Sequence, residues 1–196
     1  MLNHQDLTLD TLKDQVIRCI LCDLSKNRTH SVPGIGELKV KIMFVGEAPG
    51  KNEDENGVPF VGSAGKILDR ALNEGGLDRN DVYITNVVKC RPPNNRVPTE
   101  NEIQICTSNY LENEINLVSP KIICILGATA LKSLLGYQNM GRYRGKIVKV
   151  NSHKYFITYH PAATIYNSKL KQVFFEDISE LSRIADEDTN TIEKYF

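Results

Sequence analysis

A three-layer α/β/α sandwich with a mostly parallel central sheet is the fold class this sequence predicts. One reason is a set of short apolar runs, at residues 42–45, 82–85 and 122–126, that read as strands buried in a sheet interior. Another is that each run is followed by a stretch whose apolar positions recur at helical spacing. Alternating strand and helix implies parallel strands joined by crossovers that cover both faces of the sheet.

The elements follow in order. A first helix is expected over residues 10–18, with Leu9, Leu12 and Val16 on one face, running into Cys19-Ile20-Leu21-Cys22. The turn Val32-Pro33-Gly34-Ile35-Gly36 leads into a strand at about residues 39–45. The run from Gly46 to Gly65 then reads as one long strand-to-helix loop, its path set by glycines and prolines. In open α/β sheets such loops bind ligands. Its acidic residues and Phe60 point to polar contacts and stacking rather than to a phosphate cradle, and an ordered surface loop is the plain alternative.

The next helix is expected over residues 64–74, with Ser63 as N-cap and Gly75-Gly76 as its stop. A strand at residues 81–86 ends in Asn86-Val87-Val88-Lys89-Cys90-Arg91-Pro92-Pro93-Asn94-Asn95-Arg96-Val97-Pro98, whose prolines should exclude regular structure. Thr99-Glu100-Asn101-Glu102 is a capping box, opening a helix that turns Ile103, Cys106, Tyr110 and Leu111 inward. A strand at 121–126 feeds a helix at 128–135 that Gly136 ends. Strands at 146–150 and 155–159 form a hairpin or lie as separate neighbours. The second runs into His160-Pro161-Ala162-Ala163, and a helix over 169–185 closes the fold. Three strand ends then converge, carrying Glu47, Asn86 and His160. A histidine before a proline is more often a turn residue, so the convergence is what singles it out.

With 196 residues the chain is expected to form one domain, 1–196, with a Cys-x2-Cys segment at about 1–36 packed on it. Apolar content of 41% and charged content of 24% are those of a soluble globular protein. The polar start Met1-Leu2-Asn3-His4-Gln5-Asp6 does not read as a signal peptide, and a cytoplasmic location is expected. The net charge is zero, so overall charge does not announce a nucleic-acid partner. Arg142, Arg144, Lys146 and Lys149 form a basic stretch that is either a local binding face or a solvated hairpin.

Five cysteines are an odd number, and a disulfide framework is their least expected use inside a cell. Cys19, Cys22, Cys90 and Cys106 read as two pairs, whose four thiolates suit a structural zinc or an iron-sulfur cluster equally. Cys124, in the middle of an apolar strand, reads as core.

Taken together, Gly46-Glu47-Ala48-Pro49-Gly50 with Pro59-Phe60-Val61-Gly62-Ser63-Ala64-Gly65, the run from Thr85 to Arg96, His160-Pro161-Ala162-Ala163 and the four cysteines closely resemble the family 4 uracil-DNA glycosylases. Each motif alone is weak, but their order and spacing cover nearly the whole chain. The resemblance implies an enzyme that hydrolyses the N-glycosidic bond of deoxyuridine in single- or double-stranded DNA, and one 4Fe-4S cluster on Cys19, Cys22, Cys90 and Cys106. It implies that Phe60 stacks on the extruded uracil, that Asn86 reads its Watson-Crick edge, and that His160 stands beside O2. Gly46, Ala48 and Glu53 are implied to line the base site, with Glu53 a gate against the thymine methyl and Glu47 the carboxylate that orients water. Family 1 enzymes have an aspartate where this chain has Ala48, so the water-activating group is not carried over from them.

Further expectations are a wedge at Ile165, Tyr166 or Asn167, phosphate contacts from Arg96 and Lys169, and a monomer. No lysine in the motif cores suggests a Schiff base, so no strand-cleaving activity is expected. The competing readings are a non-catalytic iron-sulfur DNA-binding module and a zinc-bearing nucleotide-binding protein.

Overall fold

The computed structural model describes residues 7–187. The polar start at residues 1–6 and the tail at 188–196 lie outside the described residues, so the expected bounds of the domain and of its N-terminal segment reach beyond them. Five strands form one sheet in the order β2-β1-β3-β5-β4. They are β1 (Ile42–Gly46), β2 (Val82–Asn86), β3 (Ile122–Leu126), β4 (Ile147–Val150) and β5 (His153–Thr158). β1, β2, β3 and β5 run parallel; β4 pairs antiparallel with β5, so the last two strands form the hairpin rather than separate neighbours.

Successive side chains of a strand point to opposite faces, and the core divides accordingly. Met43, Val45, Ile123, Ile125 and Ile157 pack on one face with helix α1 (Leu9–Ile17), where Leu12 and Val16 are buried as expected. Ile42, Phe44, Cys124, Leu126 and Phe156 pack on the other, so Cys124 is a core residue. No described helix is long and apolar enough to cross a membrane.

Two expectations on the first long loop are corrected. It contains a helix, α2 (Lys51–Asn56), which offers no apolar periodicity because its six residues are all polar. It forms through capping: the Glu53 carboxylate accepts the Gly50 N–H at 3.1 Å, and Gly57 closes it in the left-handed conformation. Helix α3 (Ser63–Glu74) starts one residue earlier than expected, with Gly62 and not Ser63 at its N-cap. Glu53 again explains this, since its Oε1 accepts the Gly62 N–H at 2.7 Å and so does the capping from outside the helix.

The Thr99 capping box is present and opens α4 (Glu100–Cys106). A π-helical turn, Thr107–Leu111, joins it to α5 (Glu112–Val118). Cys106, Tyr110 and Leu111 are buried across this turn, facing inward as expected. The proline-rich loop after β2 is not wholly irregular, for Pro93–Asn95 makes one 3-10 turn with Asn94 and Asn95 at positive φ. Then follow α6 (Ala128–Leu135), the short α7 (Met140–Tyr143) and α8 (Ser168–Asp186), which with α3 covers the second face of the sheet. The segment before β1 is stitched to the body: Ile35 bridges Ile84, and the Val32 N–H donates to the Lys89 carbonyl at 2.7 Å.

Candidate active site

Parallel pairing sends the carboxyl ends of β1, β2, β3 and β5 to one edge. The chain winds from β1 outward to β2 and then returns to β3 on the other side, a change of direction that opens a crevice at that edge. A cavity of about 220 Å3 lies there, lined among others by Glu47, Glu53, Phe60, Asn86, Arg96 and His160. The three strand ends therefore do converge. Ala48 lines the cavity too. Gly46 lies beneath it: a Cβ there would stand 2.6 Å from Phe60 Cζ and would also strike Asn86 Oδ1. Only glycine leaves room for both side chains.

Asn86 is 2% exposed and its Oδ1 is buried with no hydrogen-bond partner among the described residues. An unpaired buried carbonyl is costly, and its place at the cavity marks it as an acceptor awaiting a donor. Phe60 adopts φ +54°, a left-handed conformation that a bulky residue rarely takes. The Glu53 carboxylate stabilises it by accepting the N–H groups of Val61 at 2.9 Å and Gly62 at 2.7 Å. With the bond to Gly50, both oxygens of Glu53 are engaged. Any action of Glu53 as a gate is thus by bulk and placement, not by a free carboxylate.

His160 sits 5.7 Å from the Phe60 ring between centroids. Gly127, at φ +93°, backs it so closely that a Cβ would stand 2.9 Å from His160 Cβ. The Ala162 N–H donates to His160 Nδ1 at 3.2 Å, which leaves the imidazole proton on Nε2. The residue keeps some exposure at the cavity mouth, yet burial of its ring depresses the pKa from 6.5 to about 4, a shift that the smaller pull of the Glu53 charge opposes. The site thus offers a neutral N–H donor.

The proposed DNA contacts lie differently. Tyr166 is 100% exposed, and Ile165 is exposed beside it on the loop after His160. Asn167 is the N-cap of α8, its Oδ1 accepting the Leu170 N–H at 3.1 Å, which gives that side chain a structural task in place of a free wedge. Lys169 is exposed. Arg96 is not a free cation: it grips Glu102 through two bonds of 2.7 and 2.8 Å. Asn95, which the motifs had not singled out, also lines the cavity, and its Oδ1 accepts the Arg91 Nε–H at 2.8 Å. Lys89 is turned away from the cavity into a buried ion pair with Glu114.

The cysteine group lies on the α1 side of the sheet, where Cys19, Cys22, Cys90 and Cys106 pack around one part of the core. Among the described residues no three His, Cys, Asp or Glu side chains gather tightly enough to hold one metal ion. Two N–H donors nevertheless point at sulfur: Arg28 Nη1 lies 2.9 Å from Cys90 Sγ, and the Lys89 backbone N–H lies 3.3 Å from Cys106 Sγ. Arg28 also donates to the carbonyls of Ile17 and Cys19, at 3.1 and 2.8 Å, so it ties the N-terminal pair to the Cys90 loop. As thiols, Cys22 and Cys90 are raised by burial, and Cys106 is pushed up to about 12 by the same cause. Donors directed at sulfur suit thiolates, the form that a metal or cluster requires.

The cavity at the carboxyl edge of the parallel sheet thus gathers an amide acceptor, an aromatic ring and a neutral imidazole, and the uracil DNA glycosylase superfamily matches this chain over residues 33–181. A type-4 uracil-DNA glycosylase of Sulfurisphaera tokodaii is 46% identical over 190 residues, covering 91% of this chain and 85% of its own. That of Saccharolobus solfataricus is 46% identical over 95% of this chain and 91% of its own, and that of Archaeoglobus fulgidus 40% identical over 96% and 98%. The chain belongs to the type-4 uracil-DNA glycosylase family.

NMR titration of the imidazole nitrogens tests the His160 assignment: a neutral Nε2–H tautomer with a midpoint near 4 is expected. Since the folded pKa lies below the unfolded one, His160 should also subtract stability as pH falls from 6.5 towards 4. A midpoint near 6.5 contradicts the assignment.

Proposed function

We propose that this protein removes uracil from DNA by hydrolysing the N-glycosidic bond, leaving free uracil and an abasic site. The observation that carries the reading is the buried, unpartnered Oδ1 of Asn86 beside Phe60 and His160 at one cavity. Uracil N3–H is the donor that Oδ1 lacks, and the amide NH2 can donate to O4. Cytosine has an acceptor at N3 and a donor at C4, so both contacts become repulsive. Extruding the base costs a few kcal/mol, and stacking on Phe60 offsets part of that.

Breaking the bond between C1′ and N1 leaves its electron pair on the uracil ring, where the charge spreads to O2. His160, neutral and with its proton on Nε2, donates to O2 without first giving up a proton of its own. Such a donor is worth ~3 kcal/mol on the scale of other oxyanion donors. Water then adds to the cationic C1′, with Glu47 at the cavity to orient it, and the proton the water releases neutralises the departing uracil anion. Among the described residues no lysine lines the cavity, Lys89 being held by Glu114, so none is placed to form a Schiff base with the abasic sugar, which supports a monofunctional enzyme. Ile165 and Tyr166 are the wedge, and Lys169, in the first turn of α8, a phosphate contact beside them. Arg96 serves the cavity rim through Glu102 instead.

Cys19, Cys22, Cys90 and Cys106 are proposed to hold one 4Fe-4S cluster, supported by the four-sulfur donor set and the N–H groups of Arg28 and Lys89. When bound, it cross-links the N-terminal pair to the loop that follows Asn86. A single domain, acting as a monomer in a prokaryotic cytoplasm, completes the proposal.

An oligonucleotide with one uracil should be cleaved by the wild type only after hot alkali. His160→Ala and Asn86→Ala should each reduce excision by about 10²-fold or more. Folded wild-type protein that binds DNA without excision would instead favour a binding module. The purified protein should be brown, and Cys90→Ala should give poorly soluble protein; a colourless wild type, or a stable and fully active Cys90→Ala variant, contradicts the structural cluster.

A further inference from the structure

Lys89 and Glu114 are almost completely buried, and their ion pair spans 2.6 Å. All three ammonium protons have acceptors: Glu114 Oε2 at 2.6 Å, Thr85 Oγ1 at 2.6 Å and the Asn86 carbonyl at 2.7 Å. The carboxylate is used as fully. Its Oε2 also accepts the Thr85 hydroxyl at 2.9 Å, and its Oε1 accepts the Gly34 N–H at 3.1 Å. Buried pairs of this kind seldom add net stability, because desolvating both ions consumes most of what their attraction returns. Their distinctive effect is to hold the groups around them in one arrangement.

We propose that the buried Lys89–Glu114 pair positions Asn86 and is thereby a determinant of uracil recognition, an inference that rests on the uracil-excising reading above. The pair joins four segments through side-chain bonds: the end of β2, the loop before Cys90, α5, and the chain around Gly34. The ammonium bond to the Asn86 carbonyl fixes the backbone from which the amide projects. On the other side, Gly46 pairs with Asn86 in the β1–β2 ladder. Asn86 is thus clamped at its main chain while its Oδ1 stays unpartnered at the cavity. The clamp reaches the cysteine group as well, since the Lys89 backbone N–H lies 3.3 Å from Cys106 Sγ and the Lys89 carbonyl accepts the Val32 N–H at 2.7 Å. A recognition amide works only while its two hydrogen bonds match the base edge, and a misplacement of about 1 Å can cost about 10²-fold in rate. Lys89 is a positioning residue, since it does not touch the cavity.

The test replaces both ions together, Lys89→Met with Glu114→Met, so that no lone charge is left buried. Melting temperature, inhibition by free uracil, and kcat and KM on a single-uracil oligonucleotide are measured beside the wild type. The double variant is expected to fold, to bind free uracil about tenfold or more weakly, and to lose about 10²-fold in kcat with KM for DNA little changed. A merely structural pair would change the melting temperature alone, and wild-type uracil inhibition and kcat in the folded double variant overturn the proposal. Should that variant not fold, Thr85→Val decides, because it removes one ammonium acceptor and keeps the ion pair. Several-fold weaker uracil inhibition supports the proposal, and unchanged inhibition overturns it. A wild type that neither excises nor binds uracil overturns the functional reading and this inference together, whereas an active wild type with unaffected variants overturns this inference alone.

Discussion

Gly46 and Asn86 lie side by side as the last rung of the β1–β2 ladder, and the site is built outward from that pairing. Because the rung ends in glycine, the Asn86 amide and the Phe60 ring can share the space where a Cβ would stand. A slip of one residue would turn Asn86 to the opposite face of the sheet and put a side chain in that space. Such a slip is resisted by burial on both faces, since every residue of β1 and β2 is buried. Core packing and recognition geometry are therefore one constraint. The same sheet carries His160 to the edge on β5, two strands away from β1, through pairing with β3.

The strained and costly features cluster around this rung. Phe60 at positive φ, the buried Asn86 amide and the wholly buried Lys89 each work against stability when taken alone. Each is compensated by an internal contact that also fixes its orientation: Glu53 for Phe60, Lys89 for the main chain of Asn86, and Glu114 for Lys89. Of the three side-chain atoms left buried and unpartnered among the described residues, Asn86 Oδ1 is the one at the cavity. That is the pattern of a site held ready for a ligand rather than one that forms around it. Glu53 shows the economy of the arrangement, since one carboxylate caps α2, supplies the N-terminus of α3 and supports Phe60.

Much of this was legible in the sequence. Apolar runs alternating with helical spacing led to the strand positions, the layers and the converging ends of β1, β2 and β5, because burial on two faces leaves a strong pattern. The Thr99 capping box was readable for the same reason, being local. The six polar residues of α2 left no periodic signal, and their helix exists through a carboxylate and two glycines that act at its ends. Ser63 looked like an N-cap until Glu53, ten residues earlier, proved to hold the Gly62 N–H. Arg96 reads as a phosphate contact from its charge and Asn167 as a wedge candidate from its place after His160, whereas their partners, Glu102 and the Leu170 N–H, are visible only in three dimensions. Lys89 stood in the sequence inside Val87-Val88-Lys89-Cys90, an apolar context that marks a buried lysine. Its partner Glu114 is 25 residues away, on a helix whose facing depends on the π turn after Cys106.

The account claims that the three strand ends form a uracil site already complete in the free protein. A crystal structure of the protein with free uracil tests this most directly. The account predicts the ring on Phe60, N3–H and O4 matched by the Asn86 amide, O2 beside His160 Nε2, and the strand ends unmoved. Uracil bound at another place, or reached only after the loops after β1 and β2 rearrange so that Asn86 Oδ1 does not meet N3–H, would contradict it.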